Sequence, residues 1–369
     1  MTTQKIKIIF LGTPEFAVAS LDILVKNGYD IAAVVTAPDK PAGRGMAVSQ
    51  SAVKRYAEIK NFKILQPPNL KDEKFLLLLE SLRADLQIVV AFRMLPESVW
   101  QMPPLGTFNL HASLLPQYRG AAPINRAIMN GEKETGVTTF FLRKEIDTGK
   151  IIFSEKVVIG QNETAGELHD KLMLLGAGLV LKTTQAIEKG DVPQMEQSHF
   201  LNTENELKKA PKIFKEDCRI EWGISSPQIH NFIRGLSPYP AAFTEFQSED
   251  GESQVIKIFR SHYDIVAHSE EPGKIFSDEK SCLKISSSDV FVFLDEVQQA
   301  GKKRMKTDEF LRGFRIKHFK KAMKKILLIL SFIGSNFVSD AQFNQDILNL
   351  KPDSAVQGIK VQKIAGDKN

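Results

Sequence analysis

Asn109, His111 and Asp147 bring together an amide, an imidazole and a carboxylate, group types that can polarise a carbonyl and move a proton beside it. Asn109 and His111 stand two residues apart behind an apolar run. On an extended strand both side chains project to one side, where an oxyanion donor and a proton acceptor can serve a single carbonyl. Asp147, within Glu145-Ile146-Asp147-Thr148-Gly149, falls at a strand-to-turn boundary and would orient the imidazole or compensate its charge. Each residue also has a plainer reading. A histidine near a strand end can be structural, an asparagine there can be a cap, and Asp147-Thr148-Gly149 alone is an ordinary turn.

The elements that must position these groups alternate in type. Short β-branched runs at 6–11, 31–35 and 86–91 are separated by helical patterns at 16–26, 51–59 and 72–82, which is the βαβ signature of a doubly wound parallel sheet. Gly12 ends the first strand and Thr13-Pro14 opens a helix, but neither GxGxxG nor a Walker lysine is present, so a dinucleotide or nucleoside triphosphate site is rejected. In such a sheet ligands lie at the carboxyl ends of the strands, where residues 92–95, 109–120 and Asp147 would all fall. A long helix is expected over 164–189, with Leu168, Leu172, Leu175, Leu179 and Ile187 as its apolar stripe and Gly190 and Pro193 as its stop. Residues 191–209 are polar and turn-rich and read as a linker. Beyond them come a short helix near 227–234 and strand-like runs at 242–246, 255–260, 282–285 and 290–297, a pattern that reads as β-rich and suits a small barrel.

At 369 residues, two domains are expected. The net charge is only +5, yet residues 302–325 hold eleven Lys or Arg against Asp308 and Glu309, which leaves the rest of the chain net acidic. That asymmetry suits a nucleic-acid partner met by one region, and equally a solvated basic face. Cys218 and Cys282 are far apart and lack zinc spacing, which fits a reducing, cytoplasmic setting. The seven histidines form no HxxxH pair, so no metal is expected. The amino-terminal residues run directly into an alternating strand with no export signal.

The run Asn109-x-His111-x-Ser113-Leu114-Leu115-Pro116-x-Tyr118-Arg119-Gly120, taken with Ile146-Asp147-Thr148-Gly149, resembles the folate-dependent formyltransferases over roughly residues 5–316. Phe10-Leu11-Gly12-Thr13-Pro14-Glu15-Phe16-Ala17 and the glycine-rich loop from Ala37 to Gly45 resemble the branch whose acceptor is methionyl initiator tRNA. The resemblance implies a Rossmann-like catalytic domain at 1–190, the linker at 191–209 and an OB-like β-barrel domain touching tRNA at 210–316. It also implies a cytoplasmic enzyme, read as a monomer, that moves the formyl group of 10-formyltetrahydrofolate to an α-amine. Asn109, His111 and Asp147 would be its catalytic set. Ser113, Leu114, Leu115 and Pro116 would line the folate site with the loop carrying Arg93, Met94 and Leu95. That loop departs from the branch: Phe92-Arg93-Met94-Leu95-Pro96 replaces a Tyr-Gly with a longer spacer and is closer to the glycinamide ribonucleotide enzymes. Lys40 and Arg44 would meet the unpaired acceptor end. Lys208, Lys209, Lys212 and the cluster from Lys302 to Arg304 would add phosphate contacts.

Residues 317–369 do not fit this pattern. Within them, 323–342 has a basic start, a short apolar core and a small-residue end, a signal-peptide pattern in an unusual place, and the core is too short for a membrane span. These residues read as a fused or read-through piece, with an amphipathic or core helix as the rival. Rival activities are transfer to glycinamide ribonucleotide or a sugar nucleotide, and hydrolysis of the formyl folate. The second domain and the loop at Lys40 argue against the first. A different class, an inactive RNA-binding or folate-sensing protein, is disfavoured by the presence of all three candidate catalytic residues.

Overall fold

The computed structural model describes residues 6–42, 47–200, 207–248 and 250–322. Seven strands build the amino-terminal sheet: β1 (Lys7–Gly12), β2 (Asp30–Val35), β3 (Ile64–Leu65), β4 (Leu86–Val90), β5 (Thr107–His111), β6 (Glu134–Phe141) and β7 (Ile151–Val158). Their order is β7-β6-β5-β4-β1-β2-β3. The strands from β1 to β5 pair in parallel, as the βαβ alternation predicts. The last two run antiparallel, β6 against β5 and β7 against β6, so the sheet is mixed rather than wholly parallel. For β7 against β6 the reason is local. β6 and β7 are joined by the short segment 142–150, too short for a crossover helix, which leaves a hairpin as the available connection.

The period-two pattern sorts each strand between two layers. Ile8 and Phe10 of β1 face a core shared with Phe16, Leu21 and Leu24 of α1 (Glu15–Lys26), Val53 and Ala57 of α2 (Ala52–Ile59), and Leu168, Leu172 and Leu179 of a long helix. Ile9 and Leu11 face the other way, against Leu70 and the Phe75 and Leu79 side chains of α3 (Glu73–Ser81). After α4 (Pro123–Met129), the long helix α5 (Ala165–Lys189) keeps its predicted bounds within a residue. Thr164 and Glu167 form a capping box at its start, and Gly190 closes it with φ 72°.

The carboxyl-terminal sheet is also seven-stranded, but antiparallel throughout. After α6 (Ser226–Leu236) come β8 (Ala242–Ser248), β9 (Ser253–Ala267), β10 (Ile275–Ser277), β11 (Leu283–Ser286), β12 (Val290–Gln299) and β13 (Met305–Lys306). α7 (Thr307–Gly313) and β14 (Phe319–Ala322) complete it. The path β10-β11-β12-β9-β8-β14 nearly closes on itself, because Lys274 bridges Lys321 and the Ala322 amide donates to the Gly273 carbonyl at 2.7 Å. Trp222, Ile233, Phe246, Ile258 and Val292 fill this barrel-like core.

The sheet runs past 316, where the expected domain ended. Ile316, Phe319 and Ala322 are buried in the same core, so residues through 322 belong to the barrel for a packing reason that the basic run around them conceals. The signal-peptide-like segment 323–342 lies outside the described residues. Among the described residues, no helix is long and apolar enough to cross a membrane.

Polar ties join the two sheets within one compact unit, residues 1–325. Asn125 donates to the Gly235 carbonyl at 2.7 Å, and the Gly166 amide to that of Ser237 at 3.0 Å. The buried Arg234 guanidinium donates to the carbonyls of Glu163 and Gly160. His230, one turn back on α6, is buried beside it and lies 3.2 Å from Ser261 Oγ. Burial first, and then the Arg234 charge, push the His230 pKa below its usual 6.5. The unfolded chain therefore binds a proton that the folded chain refuses, and stability falls as pH drops through the usual value. Thermal melts should show Tm falling from about pH 7.5 to about pH 5.5, and His230→Gln should flatten that fall. An unchanged slope in the variant would show that His230 does not carry the effect.

Candidate active site

A cavity of about 880 Å³ opens at the carboxyl ends of β1, β4 and β5, on the side where the strand order turns about β1 and β4. Pro14 follows β1, Ala91 and Phe92 follow β4, and Asn109 and His111 end β5. Residues 142–147, which follow β6, form a further wall. The three groups expected to do chemistry thus line one space.

His111 is 6% exposed, and its Nε2 lies 2.9 Å from the Tyr118 carbonyl. A carbonyl only accepts, so Nε2 carries the hydrogen and Nδ1 is turned the other way. Nδ1 faces Asp147 Oδ2 at 3.8 Å, too far for a direct hydrogen bond but close enough to form an ion pair when the ring is protonated. Asn109, on the same face of β5, is half-buried, and among the described residues no hydrogen bond engages its carboxamide. An amide, a ring nitrogen and a carboxylate therefore converge on a partly desolvated space.

The Asp147 turn is fixed from several sides. Its backbone adopts φ 55°, which aspartate tolerates better than most residues, and its Oδ2 accepts the Gly120 amide at 2.9 Å. Gly149 is required by contact: a Cβ there would collide with the Phe141 carbonyl. Gln197 was not singled out from the sequence, because it sits in the stretch read as a linker. It is only 3% exposed, and its Nε2 donates to the Asp147 and Gly149 carbonyls, each at 2.8 Å. Its Oε1 accepts from Arg119 Nη2 at 2.6 Å and Nε at 3.0 Å. No local pattern marks a lone glutamine of this kind, since all its partners are distant in sequence.

Lys208 is likewise part of the scaffold. Its carbonyl accepts the Tyr118 amide at 2.6 Å and its amide donates to Gln117 at 2.8 Å, while its ammonium pairs with Glu132. Glu132 also accepts the Tyr118 hydroxyl. Burial, and then that carboxylate, push the Tyr118 pKa well up, so the phenol stays a donor. Lys209 pairs in parallel with Arg119, and Lys209 itself is exposed.

Arg93, Met94 and Leu95 do line the cavity, and Met94 is 69% exposed there. The Arg93 guanidinium donates to the carbonyls of Pro67 and Pro68, which ties this loop down. Ser113, Leu114, Leu115 and Pro116, expected from the motif to line the folate site, are not among the residues that line this cavity. Ser113 is fully buried and donates to the Gln117 carbonyl at 2.6 Å. The Leu115 amide donates to Thr138 Oγ1, and its side chain packs with Phe140 and Ile151. These four residues build the turn that returns the chain to Tyr118. Lys40 opens a two-stranded ribbon, Lys40–Ala42 against Ala47–Ser49, where an irregular loop was expected. It borders a second pocket that shares Pro14, Ala91, Phe92 and Arg93 with the main cavity. Arg44 lies outside the described residues. Lys212 lies over the Phe214 ring at 5.2 Å, Lys302 and Lys303 are exposed, and Arg304 pairs with Glu296. Among the described residues, no group of three or more His, Cys, Asp or Glu could hold a metal ion, and Cys218 and Cys282 are both free thiols.

The pattern described as formyl transferase matches residues 5–184, and that described as the formyl transferase C-terminal domain matches residues 212–315. A methionyl-tRNA formyltransferase of Bacteroides thetaiotaomicron is 53% identical over 316 residues, covering 86% of this chain and 98% of that protein. The chain belongs to the formyl transferase family. A second methionyl-tRNA formyltransferase, from Flavobacterium johnsoniae, is 53% identical over 310 residues, 84% of this chain and 96% of its own. Among solved structures, the sugar 3N-formyl transferase WlaRD, crystallised in the presence of dTDP and 5-N-formyl-THF, matches with a TM-score of 0.59 at 22% identity. That match covers 81% of this chain and all of WlaRD. HypX from Aquifex aeolicus in complex with tetrahydrofolic acid matches with a TM-score of 0.57 at 17% identity, over 86% of this chain and 51% of its own. At these identities the likeness to both solved structures is one of fold.

Gln197 gives the site of this formyl transferase a direct test. Gln197→Leu removes both donors to the Asp147 turn. Hydrogen–deuterium exchange should then speed up at residues 145–149 while α5 stays protected. Unchanged exchange in that turn would show that the turn does not depend on Gln197.

Proposed function

We propose that this chain transfers the formyl group of 10-formyltetrahydrofolate to the α-amino group of methionyl initiator tRNA. The observation that carries the reading is the His111 ring in the cavity, with Nε2 committed to a backbone carbonyl and Nδ1 turned toward Asp147, and with Asn109 beside it on the same strand face. Relatives more than half identical over nearly their whole length supply the acceptor.

The cavity suits a folate by its chemistry. Phe92, Leu95, Trp100 and Leu142 offer apolar walls for a flat ring system, and Arg143, Lys144, Glu145 and Asp147 offer polar groups along one edge. Bound there, the formyl folate supplies an electrophilic carbonyl and a nitrogen leaving group.

The protein's part follows from the positions of its groups. Asn109 donates from its carboxamide to the carbonyl oxygen as negative charge grows there, an interaction whose loss typically costs roughly a hundred- to a thousandfold in rate. His111 receives a proton at Nδ1 from the attacking amine and can return one to the departing nitrogen. Asp147 faces that proton across 3.8 Å and balances the charge created on the ring. An α-amino group has a pKa near about 8 and is partly neutral already, so the ring need not be a strong base. Lys40, Arg44, Lys209 and the basic residues near Arg304 are proposed to meet the acceptor's phosphates. Lys208 serves chiefly through its backbone, since Glu132 already neutralises its ammonium.

Single-turnover transfer of a radiolabelled formyl group tests this. Asn109→Ala, His111→Ala and Asp147→Asn should each slow transfer to methionyl initiator tRNA by about a hundredfold or more, with donor KM changed only a few-fold. Glycinamide ribonucleotide should accept no formyl group. Full activity in His111→Ala, or transfer to the ribonucleotide in preference to the tRNA, would overturn the assignment.

A further inference from the structure

Tyr239 stands where two hollows meet. It lines the main cavity and also a groove of about 560 Å³ between the amino end of α5 and the carboxyl-terminal sheet. It is 83% exposed, an unusual position for a large ring at the mouth of an active site. Among the described residues, no hydrogen bond or ring contact engages its side chain.

Its backbone, by contrast, is firmly placed. Pro238 and Pro240 flank it and fix their own φ angles. Pro238 rests on Gly166 at the start of α5, where a Cβ would clash with the proline ring. The Gly166 amide donates to the Ser237 carbonyl at 3.0 Å, and the Ala241 amide to that of Leu236 at 2.9 Å. The fold thus presents a free aromatic face on a rigid stem, so little conformational entropy is lost when a partner covers it. The groove beyond it has Ile124, Ala165 and Pro238 as apolar lining, with Arg260 and Arg304 paired to Glu167 and Glu296 and with Asp170 also on the lining.

We propose that Tyr239 is a stacking platform for the unpaired terminal base of the aminoacyl acceptor, positioning the amine it carries at Asn109 and His111. The inference rests on the tRNA reading above and extends it. The aminoacyl ester sits on the terminal ribose, so when the amine reaches His111 the terminal base lies about one nucleotide away, at the mouth where Tyr239 stands. Unpaired bases are bound by aromatic stacking, each stack being worth roughly a five- to hundredfold change in affinity.

The test uses the full chain and two acceptors: methionyl initiator tRNA, and the same tRNA with an abasic 3′-terminal ribose carrying the methionyl ester. Tyr239→Ala should lower kcat/KM for the first about tenfold or more, mainly through KM, and leave donor KM and Tm unchanged. Tyr239→Trp should keep near-wild-type activity. On the abasic acceptor, wild type and Tyr239→Ala should be equal. An unchanged kcat/KM in Tyr239→Ala would overturn the inference. The same loss on both acceptors would overturn it in favour of contact with the methionyl side chain, and a raised donor KM in favour of contact with the folate. A wild type that formylates no tRNA would overturn the functional reading itself, and the inference with it.

Discussion

One hydrogen bond sets the terms for the site: His111 Nε2 to the Tyr118 carbonyl at 2.9 Å. Because a carbonyl cannot donate, this contact fixes which ring nitrogen is free, and it aims Nδ1 at Asp147. The carbonyl must in turn be placed, and Tyr118 adopts φ 60°, a conformation unfavourable for a tyrosine unless its surroundings impose it. Those surroundings are the Lys208 carbonyl on its amide, Glu132 and Asn130 on its hydroxyl, and a burial that leaves it 5% exposed. The adjoining Gly120 packs so closely on the Ala210 carbonyl that a Cβ would not fit, and Gly120 donates its own amide to Asp147.

The segment joining the two sheets is consequently part of the site. Gln197 ties the Asp147 turn to Arg119, Met195 bridges Ile151 beside it, and Lys208 to Ala210 clamp the chain around Tyr118. Acyl transfer by positioned dipoles demands such rigidity, since a donor that must reorganise during reaction loses much of its advantage. The barrel-like sheet reaches the same region by another route, through Arg234, Gly235 and Ser237, and so carries Tyr239 to the cavity mouth.

Much of this was legible from residue pattern. The alternation of Ile8 and Phe10 with Ile9 and Leu11 declares a strand buried on both faces, and Thr164, Glu167 and Gly190 mark the ends of α5 by capping chemistry that acts within a few residues. That Asn109 and His111 share one face was readable because strand geometry puts residues two apart on the same side. What stayed hidden depends on distant partners. Gln197 reads as one polar residue in a polar stretch until Arg119 and the Asp147 carbonyl come to it. Ser113 to Pro116 follow the strand of Asn109 and His111 in sequence, yet Leu115 is drawn into a core with Phe140 and Ile151. Phe319 and Ala322 are masked by the lysines around them, although both face the barrel interior.

The orientation of the His111 imidazole decides what the site can do, and ¹⁵N chemical shifts of the labelled ring report it directly. At a pH where the ring is neutral, the account requires the proton on Nε2, with an amide-like shift there and a pyridine-like shift at Nδ1. The opposite pattern, with Nδ1 protonated and Nε2 bare, would break the contact with the Tyr118 carbonyl and contradict the mechanism built on it.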